Sequence, residues 1–382
     1  MPKVLILGGR APVALDHARR FAAQGWRVVM ADSVSCRLSG WSRAVSATVR
    51  LAPPRRAPAQ FIADLCDVIA REHIDLVIPT CEEVFFLSRY RSALPATCRI
   101  LAEDFEKLRL LHSKWEFMKL AGGHAPAGAL VETLDQAREW AAGRPLVLKP
   151  EFSRFGVHVR IHPTGMPDAP PALPPLGPWV VQEYCDGIEL CSYSVADQGR
   201  LTAHALYRPA HRLQRSSSYY FEPHASEPIQ RFVADLVAKL NFTGQISFDW
   251  MDDGKSRPRV LECNPRATSG LHLFSEHDAL PAALNGDLQT CITPRGAEAR
   301  MLGPVMYSAG LLQSLAGGAV ASWRRDARRA RDVITAPGDL LPVAGGLLDL
   351  AWFAKTALRR RCTLREAATS DIEWDGEDLA WT

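Results

Sequence analysis

The chain has 382 residues, 47% hydrophobic and 23% charged, with 45 Lys plus Arg against 42 Asp plus Glu and a formal net charge of +3. At roughly 150 residues per domain, this predicts two to three domains with sizeable cores, and it excludes a disordered chain or a small disulfide-stapled scaffold. The charge is too near balance to imply a nucleic-acid partner, and the nine cysteines form no C-x-x-C pair, so free thiols in a reducing cytoplasm are expected rather than a zinc site.

In chain order, the opening MPKVLILGGR has only a short apolar run, Val4–Leu7, and does not read as a secretory signal. Lys3–Leu7 predicts a strand, Ala14–Gln24 a helix and Arg27–Met30 a second strand. Phe61–Arg71 then predicts a helix leading into a strand at Leu76–Ile78. This alternation predicts an α/β fold with a parallel sheet and a ligand crevice at its strand C-termini. VLILGGRAPVAL, with Asp32 closing the second strand, also invites a nicotinamide-dependent oxidoreductase. Only Gly8 and Gly9 of the G-x-G-x-x-G fingerprint are present, with Val13 near the third position, which favours an ordinary strand-to-helix turn.

A helix is expected near Ser113–Leu120, then strands at Leu146–Lys149 and Val157–Ile161 around the loop Glu151–Gly156. The Pro-rich Pro163–Pro178 reads as a surface loop. Strands follow at Trp179–Tyr184 and Ile188–Val195. Ile229–Leu240 is the clearest helix, with Ile229, Phe232, Val233, Leu236, Val237 and Leu240 on one face. Beyond residue 290, the basic clusters Arg324–Arg331 and Arg359–Arg361 and the acidic end Asp371–Asp378 are expected to be solvated faces.

Leu340–Leu358 is apolar enough to need a membrane test. Its six Leu, one Val and one Phe contribute about −0.3 to −0.6 kcal/mol each on the insertion scale. Asp349, near the centre of the stretch, costs about +2.5 to +3.5 kcal/mol and roughly cancels them. Pro342, Gly345–Gly346 and Lys355 tip the balance against spanning, so an amphipathic or buried helix and no stable membrane insertion are expected.

Three segments carry chemistry. In GQISFDWMDDGKSRPRVLECNPR, Gln245–Trp250 alternates and Arg259–Asn264 resumes as a strand. A hairpin turning near Gly254–Ser256 sets Asp249 opposite Glu262, with Asn264 on the same face. Such a set suits a hard cation such as Mg²⁺, the bland alternative being an exposed polar hairpin face. In VVQEYCDGIELCSYS, Glu183 ends a strand and Glu189 follows the turn at Asp186–Gly187. Both could accept hydrogen bonds from ribose or an amine, or merely be exposed. Lys149 ends PLVLK beside a loop and could meet a phosphate, or snorkel at a sheet edge.

In this order and spacing, over roughly residues 1–290, the segments resemble the ATP-grasp superfamily, specifically its carboxylate–amine (or carboxylate–thiol) ligases. The resemblance implies a Rossmann-like pre-ATP-grasp parallel sheet in 1–110 and a two-subdomain ATP-grasp fold in 111–290, with a helical C-terminal extension in 291–382 as a cap or interface. It implies ATP and Mg²⁺ (or Mn²⁺), a small carboxylic acid, such as an amino acid or biosynthetic intermediate, and an amine as substrates, and an acyl-phosphate intermediate.

Residue by residue, the resemblance gives Lys149 and the earlier Lys114 to the phosphates, and Glu183, Tyr184 and Cys185 to adenine. Glu189 would bind ribose, while Asp249, Glu262 and Asn264 would ligate the metal. Arg266 would stabilise the γ-phosphate or acyl phosphate, and the loop Ser153–Gly156 would close over the phosphates. Two departures stand out. Ser113 precedes Lys114 where the family commonly has Asp, and the loop has only Gly156, so Arg154 could supply a charged contact in place of amides. Arg212 or Arg215, in HRLQRSSSYY, could clamp the acid, with Ser269 and Gly270 lining the same pocket. A solvated basic loop reads equally well. A non-catalytic ATP-binding sensor is the remaining alternative, and Leu340–Leu358 is a candidate homodimer interface.

Overall fold

A computed structural model describes residues 1–379 except Cys36, Phe155, Val157 and 214–217. Five strands, β1 (Lys3–Leu7), β2 (Arg27–Asp32), β3 (Ala47–Arg50), β4 (Leu76–Ile78) and β5 (Arg99–Ile100), form a parallel sheet in the order β3-β2-β1-β4-β5. Val4–Ile6 and Leu76–Ile78 are inaccessible because helices cover both faces, so these strands read as continuous apolar runs. The chain reverses direction across the sheet between β1 and β4, where open α/β sheets form their crevice. Gly8, at φ +72°, starts the turn into the helix Pro12–Ala23.

A four-stranded sheet follows, β6 (Gly128–Val131), β7 (Leu146–Pro150), β8 (Arg160–His162) and β9 (Trp179–Glu183), in the order β6-β9-β7-β8. The strand expected at Val157–Ile161 begins only at Arg160 in the described chain, Val157 lying outside the described residues. Then come β10 (Ile188–Asp197), β11 (Arg200–Arg212), β12 (Ser218–His224), β13 (Gly244–Asp252) and β14 (Arg259–Asn264). With the short β15 (Arg300–Met301) and β16 (Arg331–Asp332), they build a seven-stranded sheet in the order β14-β13-β10-β11-β12-β15-β16. Segments beyond residue 290 thus extend this sheet. The helix Glu227–Leu240 buries Ile229, Phe232, Val233, Leu236 and Val237 on it, and the Phe232 ring meets Trp250 edge-on at 5.2 Å.

The expected hairpin is present in the expected register, with Asp249 opposite Glu262 and Ser247 opposite Asn264. Ile246, Phe248 and Trp250 fill the core on the far face. In the segment His211–Tyr220, open in sequence to an acid clamp or a solvated loop, His211 and Arg212 end β11 paired with Tyr220 and Ser218 of β12.

Candidate active site

Lys149 comes off β7 and is 4% exposed. Its ammonium donates to the Leu261 carbonyl of β14 at 2.9 Å, so it bridges the two antiparallel sheets instead of snorkelling at an edge. Burial pulls its pKa down to about 8, against the opposing pull of Glu262. Lys114 begins the helix Lys114–Ala121, whose N-cap Ser113 accepts from the Glu116 amide at 3.1 Å. Its buried ammonium donates to the Ser153 carbonyl at 2.7 Å and lies 3.9 Å from Glu262. Ser113, the departure from the family pattern, holds Lys114 from the cap and donates from its hydroxyl to Glu151.

Asp249 and Glu262 face one another across β13 and β14. Burial and Glu262 push the Asp249 carboxyl up, whereas Lys114 and Lys149 hold Glu262 ionised despite its burial. Asn264 donates to Asp249 at 3.3 Å, and Arg266 donates to the Asn264 amide oxygen at 3.3 Å. The oxygen donors suit Mg²⁺, which would relieve the repulsion between the two opposed carboxylates. Among the described residues no group of three or more His, Cys, Asp or Glu is placed to hold a metal. A cation here would have two carboxylates and an amide, with phosphate or water completing its shell.

The remaining sequence candidates are dispersed. Glu183, exposed at the end of β9, lies 3.8 Å from Arg259, and the Tyr184 amide donates to the Pro145 carbonyl at 3.4 Å. Cys185 lies half-buried beside the Glu183 carbonyl. Arg212 pairs with Glu189, so the structure joins the expected acid clamp to the expected ribose ligand. Arg215 lies outside the described residues. Gly270 presents little surface to a ligand. It is buried, and a Cβ there would meet Tyr193 Cβ at 2.6 Å, so its role is close packing, and only Ser269 of that pair reaches solvent.

Arg154 is the clearest departure from expectation. Its guanidinium is ion-paired with Glu82, which follows β4, and with Glu373 at 2.9 Å and Asp375 at 3.1 Å. Residues 371–379 are not a solvated face. They form a strap across the C-terminal edge of the parallel sheet, with Asp371 2.7 Å from Arg10, and Asp375 and Glu377 each 2.9 Å from Arg55. Trp374, 2% exposed, sits among Phe85, Phe105, His112 and Phe152, at ring separations from 4.9 to 6.0 Å. Sequence reasoning missed this strap, although acidic residues at every second position from Asp371 to Glu377, with Ile372 and Trp374 between them, carried the signal. It missed Glu82 as well, which lies 3.7 Å from Arg266 and joins the parallel sheet to the metal-type hairpin. Asp32, the residue behind the oxidoreductase reading, is taken up by the Arg10 amide at 2.9 Å and its guanidinium.

No family model matches the chain, and no curated protein matches it in sequence. Solved structures do. N5-carboxyaminoimidazole synthetase from Staphylococcus aureus, complexed with ADP, superposes with a TM-score of 0.60 at 13% identity, over 82% of this chain and 86% of that one. The biotin carboxylase domain of Hydrogenobacter thermophilus 2-oxoglutarate carboxylase, with MgADP and bicarbonate, gives 0.57 at 13% identity, over 77% and 71%. An L-amino acid ligase from Bacillus licheniformis gives 0.53 at 16%, over 71% and 68%. The chain therefore has the ATP-grasp fold.

Proposed function

We propose that this chain is an ATP-dependent carboxylate–amine ligase acting on a small carboxylic acid, with residues 1–110, 111–290 and 291–382 as its pre-grasp, grasp and C-terminal parts. One observation carries the reading: on an ATP-grasp fold, the buried Lys114 and Lys149 converge on the opposed, half-buried Asp249 and Glu262. ADP and MgADP, bound in two of the fold neighbours, support nucleotide use at this cluster. The oxidoreductase alternative has no such support.

Lys114 and Lys149 would take the nucleotide phosphates as point charges, and Glu183, with the backbone of Tyr184 and Cys185, would border the adenine. Asp249, Glu262 and Asn264 would hold Mg²⁺, which neutralises phosphate charge when bound. The substrate carboxylate oxygen attacks the γ-phosphorus, the bond to the β–γ bridging oxygen breaks, and ADP leaves with an acyl phosphate in place. Lys149 and Arg266 stabilise the charge on the transferring group. The amine then attacks the acyl carbon, inorganic phosphate departs and the amine proton goes to solvent. No nucleophilic side chain is needed. Arg154 would reach the phosphates only on leaving Glu82, Glu373 and Asp375.

The test is ADP release from Mg-ATP against pools of amino acids and other small acids, with and without hydroxylamine as a surrogate amine. ADP with hydroxamate establishes acid activation. Nucleotide binding without ADP release from any pool would favour a sensor, and no nucleotide binding would end the reading.

A further inference from the structure

The helix Leu341–Arg360 is mounted inside out. Pro342, Gly345, Asp349, Phe353 and Ala357 face the protein, while Leu341, Leu347, Leu348, Leu350, Trp352 and Leu358 face solvent. The exposures are large, 60% at Leu347 and 81% at Leu358. The inward face explains the orientation. Asp349 accepts from the Leu38 amide at 2.9 Å and lies 3.2 Å from Arg37, and Gly345 sits against the Arg37 carbonyl too closely for a side chain. Polar and small residues anchor the helix, and its apolar side is left without a partner among the described residues.

Charge selects what covers that side. From residue 303 to 361 the chain has nine basic residues, Arg324, Arg325, Arg328, Arg329, Arg331, Lys355 and Arg359–Arg361, all exposed. Its four acidic residues are engaged within the protein: Asp326 with His211 and with Arg325, Asp332 with the Gly303 amide, Asp339 with Arg19 and Asp349 with Leu38. A second copy would set the Lys355 and Arg359–Arg361 that this helix and its end carry against the same cations. A nucleic acid would meet the charge but not the leucines.

We propose that this face docks on an anionic lipid surface, the helix lying in the interfacial plane with its leucines in the acyl boundary and its arginines among headgroup phosphates. The helix is long and apolar enough to cross a membrane by length and composition. It lies flat because spanning would strip Asp349, Gly345 and Phe353 from the protein and leave a buried carboxylate in hydrocarbon.

The experiment is co-sedimentation of the full chain with vesicles of phosphatidylcholine alone and with about one-third phosphatidylglycerol. Binding is expected to the anionic vesicles and to weaken as salt rises. Leu347→Ser with Leu358→Ser, both solvent-facing, is expected to cut the bound fraction roughly tenfold or more while leaving the circular dichroism melt unchanged. Arg359→Gln, Arg360→Gln and Arg361→Gln together are expected to remove the preference for anionic lipid. Wild-type protein left in the supernatant with both vesicle types overturns the proposal, whether it sediments as a monomer or as a dimer that the leucine variants dissociate. Equal binding by wild type and the leucine variants overturns it too. Neither result depends on ADP release, so the ligase reading stands or falls separately.

Discussion

Lys149 shows what one buried amine imposes on the protein around it. Unfolded, it keeps its proton up to about 10.5; folded and unliganded, burial lowers this to about 8. Between those values the unfolded chain binds more protons, so stability rises with pH across the window, and below about 8 the full cost of the buried charge is present. Urea midpoints are expected to climb from pH 8 towards 10 more steeply in wild type than in Lys149→Met. Parallel profiles would remove the shift. Glu262 is the complementary case, a carboxylate kept ionised by Lys114 and Lys149. Glu262→Ala is expected to abolish Mg-ATP-dependent ADP release while the melting temperature stays within a few degrees, and turnover at the wild-type rate would sink the metal assignment. Asp249, Glu262 and Asn264 were legible as neighbours in the sequence because each lies at a strand position that alternation fixes, whereas Lys149 was read only as ending its strand. The Arg212–Glu189 pair was not, because it joins two strands whose register only the assembled sheet sets.

Among the elements, the β13–β14 hairpin was legible for a simple reason. One face is apolar and the other polar, so period-two alternation survives in the sequence. Strands β10 and β11 lack it, since Leu190–Asp197 and Leu201–Tyr207 are buried throughout, and β11 went unread. The helix Leu341–Arg360 was legible as a helix but not in its orientation, which depends on the Leu38 amide and Arg37 carbonyl far away in sequence. Gly345 is the contact that lets it approach. Gly345→Val is expected to destabilise the helix docking by about 1–3 kcal/mol, since overpacking there meets backbone and not a movable side chain. Limited proteolysis near residue 340 would report it as faster cleavage. An unchanged cleavage rate would show that the helix is held without that contact.

For the whole molecule, the decisive feature is that its two ends meet. Arg10, Arg55 and Arg154, each in a loop after a strand, are neutralised by residues from Asp371 to Glu377, and Trp374 is packed between them in the aromatic cluster. Trp374→Ala is expected to cost about 3–5 kcal/mol, read as a lower melting temperature, while Trp374→Phe retains most of it. Equal melts for wild type and Trp374→Ala would reduce the strap to a surface decoration. The acidic run reads as solvated in sequence because its partners are 219 to 361 positions away, beyond any local pattern. That separation also sets an order of events at the ribosome. At 5–20 residues per second, Arg10 is made roughly 20 to 70 seconds before Asp371, and in that interval its guanidinium has Asp32 and the Ser33 hydroxyl to answer it. The nascent sheet therefore waits with its loop-end arginines only partly neutralised, Arg10 by Asp32 and Arg154 by Glu82, until the strap is made.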